Sequence, residues 1–517
     1  MARPAVRRVP VARRVLAALS AATLSLAGLL LPALAPSSVA SIAAVSAVSS
    51  DTSAASTGTL RVVDGRYLVA LAGVQASDGT FITAGAMTAV QSLIASAGGS
   101  VVADMSRQIG VIVAASANPS FATIVGASSL VTSVSNDFGV KAFEPGPAPE
   151  PADDPLEAPQ WDMQQIRTDE AHDIQGGKRA VDVGVLDSGI DGRHPDFTKV
   201  VDGSNVDCSR GRDSLAVLPA GVAVGVPDPC TDNQFHGTHV AGTIGARANG
   251  IGIVGVAPNV TLVPVKVCDT TGYCYASPVV DGITYAGDQK FDVINMSFFV
   301  DDNEFQESTE FKCASDPVQR TFRHAVERAI SYARSQGVTP VAALGNSDQD
   351  LAHPVDEDGQ PISNECEVVP AETQGVVGTM ALGARSEKAR YSNYGVGMTD
   401  VAAPGGNGTT GDCRRTILST FPGGGYICIQ GTSMASPHAA GVAALIVSQY
   451  GRLGSDGDVK LPPQTVESYL QSTTVDIGLP GYDECFGNGR IDALRAVNHD
   501  TSRVYDPSAP PCPEYTE

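Results

Sequence analysis

The sequence predicts an α/β protein: a three-layer domain on a parallel sheet, preceded by a small α+β unit. Three observations carry that expectation. From about Ala158 onward, apolar strand-like runs alternate with helical ones, as in a wound sheet with helices on its faces. The strand candidates Val181–Leu186, Val260–Val267, Val293–Ser297, Val338–Leu344 and Val376–Leu382 are apolar nearly throughout, which is what burial on both faces demands. Residues 59–143 instead follow a β-α-β-β-α-β order, a ferredoxin-like pattern.

The elements follow in chain order. Five arginines between Arg3 and Arg14 precede an apolar run from Val15 to Ala35, and small residues lead to Ser38-Val39-Ala40. That layout predicts a secretory signal peptide over residues 1–40. The run is also near spanning length, so an uncleaved anchor is the alternative. Residues 41–58, rich in Ala, Ser, Thr and Val, read as a flexible segment. In the small unit, Arg66–Leu71 is a strand, Ala84–Ala97 a helix, and Val101–Asp104 with Ile109–Ala114 paired strands. A second helix starts near Asn118, and Val131–Val140 closes the unit. Residues 144–158 hold an acidic, proline-rich linker that favours extension and cutting. The large domain takes residues 159–517, with helices expected at Thr238–Arg247, Pro278–Gly287, Val318–Gln336 and Ser436–Tyr450.

The net charge of −22 over 517 residues argues against nucleic acid or an anionic membrane as partner. No apolar segment after the first forty residues is long enough to span a bilayer. Ten cysteines, all between Cys208 and Cys512, suggest disulfides in an exported chain. Cys268 with Cys274 and Cys413 with Cys428 would close short loops. A sequential scheme adds Cys208–Cys230, Cys313–Cys366 and Cys485–Cys512, among many other connectivities.

Three separated segments each supply one group suited to acyl transfer. They are Val-Gly-Val-Leu-Asp-Ser-Gly-Ile-Asp around Asp187, His-Gly-Thr-His around His236, and Gly-Thr-Ser-Met-Ala-Ser-Pro-His around Ser433. A serine hydroxyl is a poor nucleophile unless a base takes its proton and a third group orients that base. Asp187 ends an apolar strand, while His236 and Ser433 open helices. Asn346, after Gly345, could donate to an oxyanion together with the Ser433 N–H. Singly, each residue has an ordinary explanation as a turn or cap residue.

Together, in the order Asp, His, Ser, the segments resemble the subtilisin-like serine protease family. The resemblance runs from about Gln160 to Val497. It includes Val256-Ala257-Pro258, Val293-Ile294-Asn295-Met296-Ser297, Ser392-Asn393-Tyr394-Gly395 and Ala402-Ala403-Pro404-Gly405. It implies catalytic Asp187, His236 and Ser433, an oxyanion hole of Asn346 and Ser433, and substrate contacts at Ser297, Phe298, Phe299 and Gly345. It further implies that residues 59–143 are an inhibitor-type propeptide. The expected protein is a secreted, self-processed monomeric endopeptidase acting on proteins or peptides. Its chemistry needs no cofactor, and a structural calcium ion at Asp196 and Asn249 is a possibility. Where the family commonly has Leu-Gly-Gly, this chain has Phe298-Phe299-Val300. Large side chains there would narrow the primary pocket, favouring small residues before the cut. The acidic run Asp301–Glu304 is a solvated loop or an attractor of basic substrates. A binding protein on the protease fold and a lipase are the rival readings. The latter lacks a Gly-x-Ser-x-Gly elbow and has a different triad order.

Overall fold

A computed structural model describes residues 61–76, 78–142, 160–299, 317–355, 361, 363–364, 367–454, 457, 459–510 and 512. The expected signal, flexible segment and linker lie outside them, as do Val300, the acidic run 301–304, Cys313 and Cys366. The chain divides into two compact units, Met1–Ala55 and Ser56–Glu517, and the described residues all belong to the second.

The first elements of that unit are β1 (Arg61–Leu71), α1 (Met87–Ser96), β2 (Gly99–Met105), β3 (Val111–Ser116), α2 (Phe121–Gly126) and β4 (Val131–Lys141). The strands pair antiparallel in the order β4-β1-β3-β2. One face holds Val69, Leu71, Ile112 and Ala114 against Val90 and Ile94 of α1 and Phe121 and Val125 of α2.

The large domain is built on β5 (Asp182–Asp187), β6 (Arg212–Asp213), β7 (Thr261–Lys266), β8 (Tyr273–Tyr275), β9 (Val293–Met296), β10 (Thr339–Ala343), β11 (Val377–Leu382) and β12 (Val401–Pro404). All but β8 form a parallel seven-stranded sheet in the order β6-β7-β5-β9-β10-β11-β12. Every residue of β7, β9, β10, β11 and β12 is buried, as helices on both faces require. Helices α3 (His236–Gly245) and α6 (Thr432–Tyr450) pack on one face. On the other lie α4 (Ala276–Gln289) and α5 (Pro317–Ser335). Two cores result, one centred on Val185, Val240 and Ala440, the other on Leu186, Ile283 and Phe322. No helix among the described residues is long and apolar enough to cross a membrane.

Disulfides join Cys208–Cys230, Cys268–Cys274, Cys413–Cys428 and Cys485–Cys512, with Cα separations of 5.7, 4.0, 5.1 and 5.9 Å. These are four of the five pairs of the sequential scheme; the fifth lies outside the described residues.

Candidate active site

Parallel strands deliver their carboxyl ends to one edge of the sheet, where an open α/β fold collects its ligands. The adjacent strands β5, β9 and β10 end at or just before Asp187, Ser297 and Asn346. Leu186 pairs with Met296, and Met296 with Ala342. Three of the residues singled out in the sequence therefore meet because their strands are neighbours in register.

Asp187 is fully buried. Its Oδ1 accepts the Ser188 N–H at 2.7 Å. Its two oxygens stand 2.9 and 3.0 Å from Nδ1 of His236, itself only 5% exposed. A carboxylate there fixes the proton on Nδ1 and leaves Nε2 as the basic nitrogen. His236 is the first residue of α3, so its position depends on how that helix starts. A Cβ on Gly237 would lie 2.1 Å from the Gly189 carbonyl and 3.1 Å from the Asp187 Cβ. Only glycine lets the helix sit this close to the strand end.

Asp232 locks the entry to α3. Its carboxylate accepts the hydroxyls of Ser188 and Thr238 and the N–H groups of Gln234, Phe235 and Thr238, at 2.7 to 3.0 Å. Ser188 Oγ in turn accepts the Gly237 N–H at 3.0 Å. Phe235, with φ of 93°, takes the left-handed turn before the histidine. Such a conformation costs on the order of 1–3 kcal/mol, and this hydrogen-bond cluster holds it in place.

Ser433 lies in the first turn of α6, where a backbone N–H has no intrahelical acceptor. Its hydroxyl donates to the Ser297 carbonyl at 2.9 Å, and the Ser297 hydroxyl donates to the Ser433 carbonyl at 2.8 Å. The second bond is open because Pro437, four residues on, has no N–H to give that carbonyl. Asn295 completes the lattice, donating to Ser297 Oγ at 2.9 Å and accepting Ser436 Oγ at 2.7 Å.

Asn346 has its amide oriented by Thr432. Two donors, the Thr432 N–H and hydroxyl, converge on Oδ1 at 2.9 and 2.8 Å. That identifies this atom as the oxygen and turns Nδ2 the other way, free to donate. Gly345 has φ of 103°, and a Cβ there would lie 2.5 Å from the Asn393 amide, so the loop after β10 requires glycine.

Of the expected substrate contacts, Phe298 can offer only main-chain groups. Its ring is 1% exposed and belongs to the core between the sheet and α4 and α5, so its side chain lines no cleft. Phe299 is half-buried and packs on that same core. Backbone direction after β9 decides this, and no local pattern reports it.

His194, His239 and His438 are structural. His239 is fully buried and pushed down to about 3 by burial, with His236 adding to the shift. It bonds the Ile417 and Ile427 carbonyls. His438 bridges the Met434 carbonyl and Asp162, and His194 bonds the Gly425 carbonyl.

Asp196 and Asn249 do meet, through a side-chain hydrogen bond. Asn249 turns its amide N–H groups to the Pro195 and Thr198 carbonyls, at 3.2 and 3.0 Å. Asp196 Oδ2 accepts the Ile253 N–H at 2.9 Å, and the Tyr426 hydroxyl also bonds this carboxyl. Its Oδ1 is a buried oxygen without a hydrogen-bond partner. Among the described residues no cluster of three or more His, Cys, Asp or Glu is placed to hold a metal; calcium also takes carbonyl and amide oxygens. Burial instead pushes the Asp196 carboxyl up to about 7.

Thr432, Asp232 and Pro437 were not singled out in the sequence as functional. Thr432 and Pro437 stand inside the serine segment, but nothing local reveals what their side chains do.

The Subtilase family pattern matches residues 178–489. Subtilisin DY of Bacillus licheniformis is 33% identical over 324 residues, 62% of this chain and 93% of that protein. Subtilisin E of Bacillus subtilis is 33% identical over 340 residues, 65% of this chain and 71% of that one. Among solved structures, the epidermin leader peptide processing serine protease of Staphylococcus aureus superposes with a TM-score of 0.62 at 21% identity. It covers 85% of this chain and 98% of its own, a likeness of fold. Sheet, site and relatives converge: the chain belongs to the subtilase family and is a subtilisin-like serine endopeptidase.

Proposed function

We propose that this chain is the precursor of a secreted, monomeric endopeptidase that matures by cutting itself, with Ser433, His236 and Asp187 as its triad. Ser433 Oγ turns from the Ser297 carbonyl and attacks the scissile carbonyl carbon while His236 Nε2 takes its proton. Asp187 stabilises the imidazolium and keeps its ring oriented. Asn346 Nδ2 and the Ser433 N–H hold the oxyanion. His236 then protonates the leaving amine as the C–N bond breaks. Water, giving a proton to His236, attacks the acyl enzyme; the acid product leaves and the proton returns to Ser433.

The observation that carries this reading is the contact of His236 Nδ1 with both Asp187 oxygens, which leaves Nε2 to serve as the base. Residues 59–143 act as the intramolecular inhibitor. In support, the buried Asp137 of β4 accepts the Ser277 N–H at 3.0 Å and the Ser277 hydroxyl, at the start of α4. Phe138 meets Phe322 of α5 edge to face at 5.3 Å. Four disulfides and the basic-then-apolar N-terminus support export.

The test is Ser433→Ala, expressed where no other protease acts. Peptide hydrolysis should be lost and the chain should keep residues 59–143 attached. Normal processing of that variant would refute self-cleavage, and retained hydrolysis would refute Ser433 as nucleophile.

A further inference from the structure

The short strand β8 lies outside the parallel sheet but is tied to the catalytic end of it. The Cys268 N–H donates to the Asp187 carbonyl at 3.2 Å, and the Cys268–Cys274 disulfide carries that anchor into β8. Its strand partner among the described residues is β4. Tyr273 stands opposite Lys141, Cys274 opposite Val140 and Tyr275 opposite Gly139, and the Ala142 N–H continues the ladder to the Gly272 carbonyl at 2.8 Å. Once β4 is gone, such an edge offers its main-chain groups to any extended peptide.

One face of that edge is specialised. Asp269 is fully buried between Tyr273 and Tyr275 and accepts the Tyr275 hydroxyl at 3.0 Å. A guanidinium already sits in this box. Arg61 Cζ lies 3.8 Å from the centre of the Tyr273 ring. An Arg61 terminal nitrogen donates to the Tyr275 oxygen at 2.7 Å and lies 3.5 Å from Asp269 Oδ2. Charge runs one way through this relay, from cation to phenol to carboxylate. Arg61 belongs to β1, so removal of the N-terminal unit empties the box.

Register says which residue of an incoming strand could refill it. Arg61 stands opposite Gly139, which puts Arg61, Gly139 and Tyr275 in one row on one face. A Cβ at Gly139 would lie 2.5 Å from the Tyr275 ring, so that position favours glycine. The next residue on the same face, two along, stands opposite Tyr273, and this chain has Lys141 there. Directly opposed side chains are close enough to touch, so a long cation at this position reaches the Tyr273 face and Asp269.

We infer that Asp269, Tyr273 and Tyr275 form a subsite of the matured protease for a cationic side chain of an extended peptide substrate, carried at the position opposite Tyr273. Arginine is preferred to lysine, because a planar, weakly hydrated guanidinium stacks on a ring better than an ammonium does. This rests on the reading of Ser433 as nucleophile and of the N-terminal unit as removable.

The test uses enzyme matured from the full-length chain and peptides spanning residues 137 to 146, with position 141 as Arg, Lys or Gln. The Arg peptide should exceed the Gln peptide in kcat/KM by about tenfold, the size of one well-placed cation–π and charge contact, with Lys between. Tyr273→Leu should remove that preference, bringing the Arg, Lys and Gln peptides to within about twofold of one another whatever the common rate. Asp269→Asn should do the same, but Asp269 also holds its own turn, so Tyr273→Leu is the deciding variant. Equal rates for all three peptides, or a preference that survives Tyr273→Leu, overturns the subsite. Hydrolysis of denatured casein, with its loss in Ser433→Ala, checks the underlying reading separately. If no Ser433-dependent hydrolysis occurs at all, both fall together.

Discussion

The two sheets of this molecule bury themselves differently. Strands β7, β9, β10, β11 and β12 are buried at every residue. In β2 only Met105 is buried, the remaining six residues being exposed or half-exposed. The contacts of the N-terminal unit with the large domain also include many polar groups. Arg61 reaches Tyr275, Asp137 reaches Ser277, and Arg328 donates to the carbonyls of Leu71, Ile109 and Gly110. Each of these groups can be rehydrated if the surfaces part, whereas a core strand cannot leave its sheet without unfolding it. On the proposed reading of residues 59–143 as a propeptide, the difference separates the scaffold from the part that would come away.

Damage to the scaffold should therefore strike chemistry, and damage to the removable face should strike attachment. The largest effect is expected from Gly237→Ala. The new methyl group would fall 2.1 Å from the Gly189 carbonyl, so α3 must shift and carry His236 away from Asp187. We expect kcat to fall by about 10²-fold or more, since a misplacement of ~1 Å can cost that much. Unaltered turnover would show that the strand end yields instead.

Next is Thr432→Val, which keeps the shape and removes the hydroxyl bonded to Asn346 Oδ1. One anchor of the oxyanion amide remains in the Thr432 N–H. A fall in kcat of about tenfold with KM nearly unchanged is expected, below the ~10²–10³ for deleting an oxyanion donor outright. A change confined to KM would place Asn346 in ground-state binding.

Asp137→Ala belongs to the other side of the comparison. It strips the start of α4 of its carboxylate and leaves the matured enzyme's chemistry untouched. After a nick in the linker, the N-terminal unit should dissociate faster. Burial also pushes the Asp137 carboxyl up to about 6, against the bonds from Ser277 and Phe138. A raised value means that docking takes up a proton. Attachment should be firmest below the ordinary carboxylate range and weaken as pH rises through about 6. Dissociation that slows with rising pH would contradict this.

The smallest effect concerns Asp196, raised by burial to about 7. By the same sign, its contribution to fold stability is full below the unfolded value near 4 and is lost as pH rises through about 7. Asp196→Asn should flatten that part of the melting-temperature profile. Calcium that raised the melting temperature of the unmutated protein, but not of Asp196→Asn, would show that the loop can rearrange into an ion site.

The sequence alone determined the elements and the chemistry. Unbroken apolar runs can be buried only in a covered parallel sheet, so β5, β7, β9, β10 and β11 were legible as they stand. Asp187, His236, Asn346 and Ser433 could be proposed because their segments are short and self-contained. What the sequence left undecided depends on groups far apart in the chain. Thr432 orients Asn346 across 86 residues, and a proline frees the Ser433 carbonyl for Ser297 across 136. The Phe298 ring turned into the core, and Asn249 turned its amide donors inward. Only the tertiary structure decided these, because a side chain's direction and its hydrogen-bond partner are set by whichever strand or helix packs beside it, and local pattern carries no record of that neighbour.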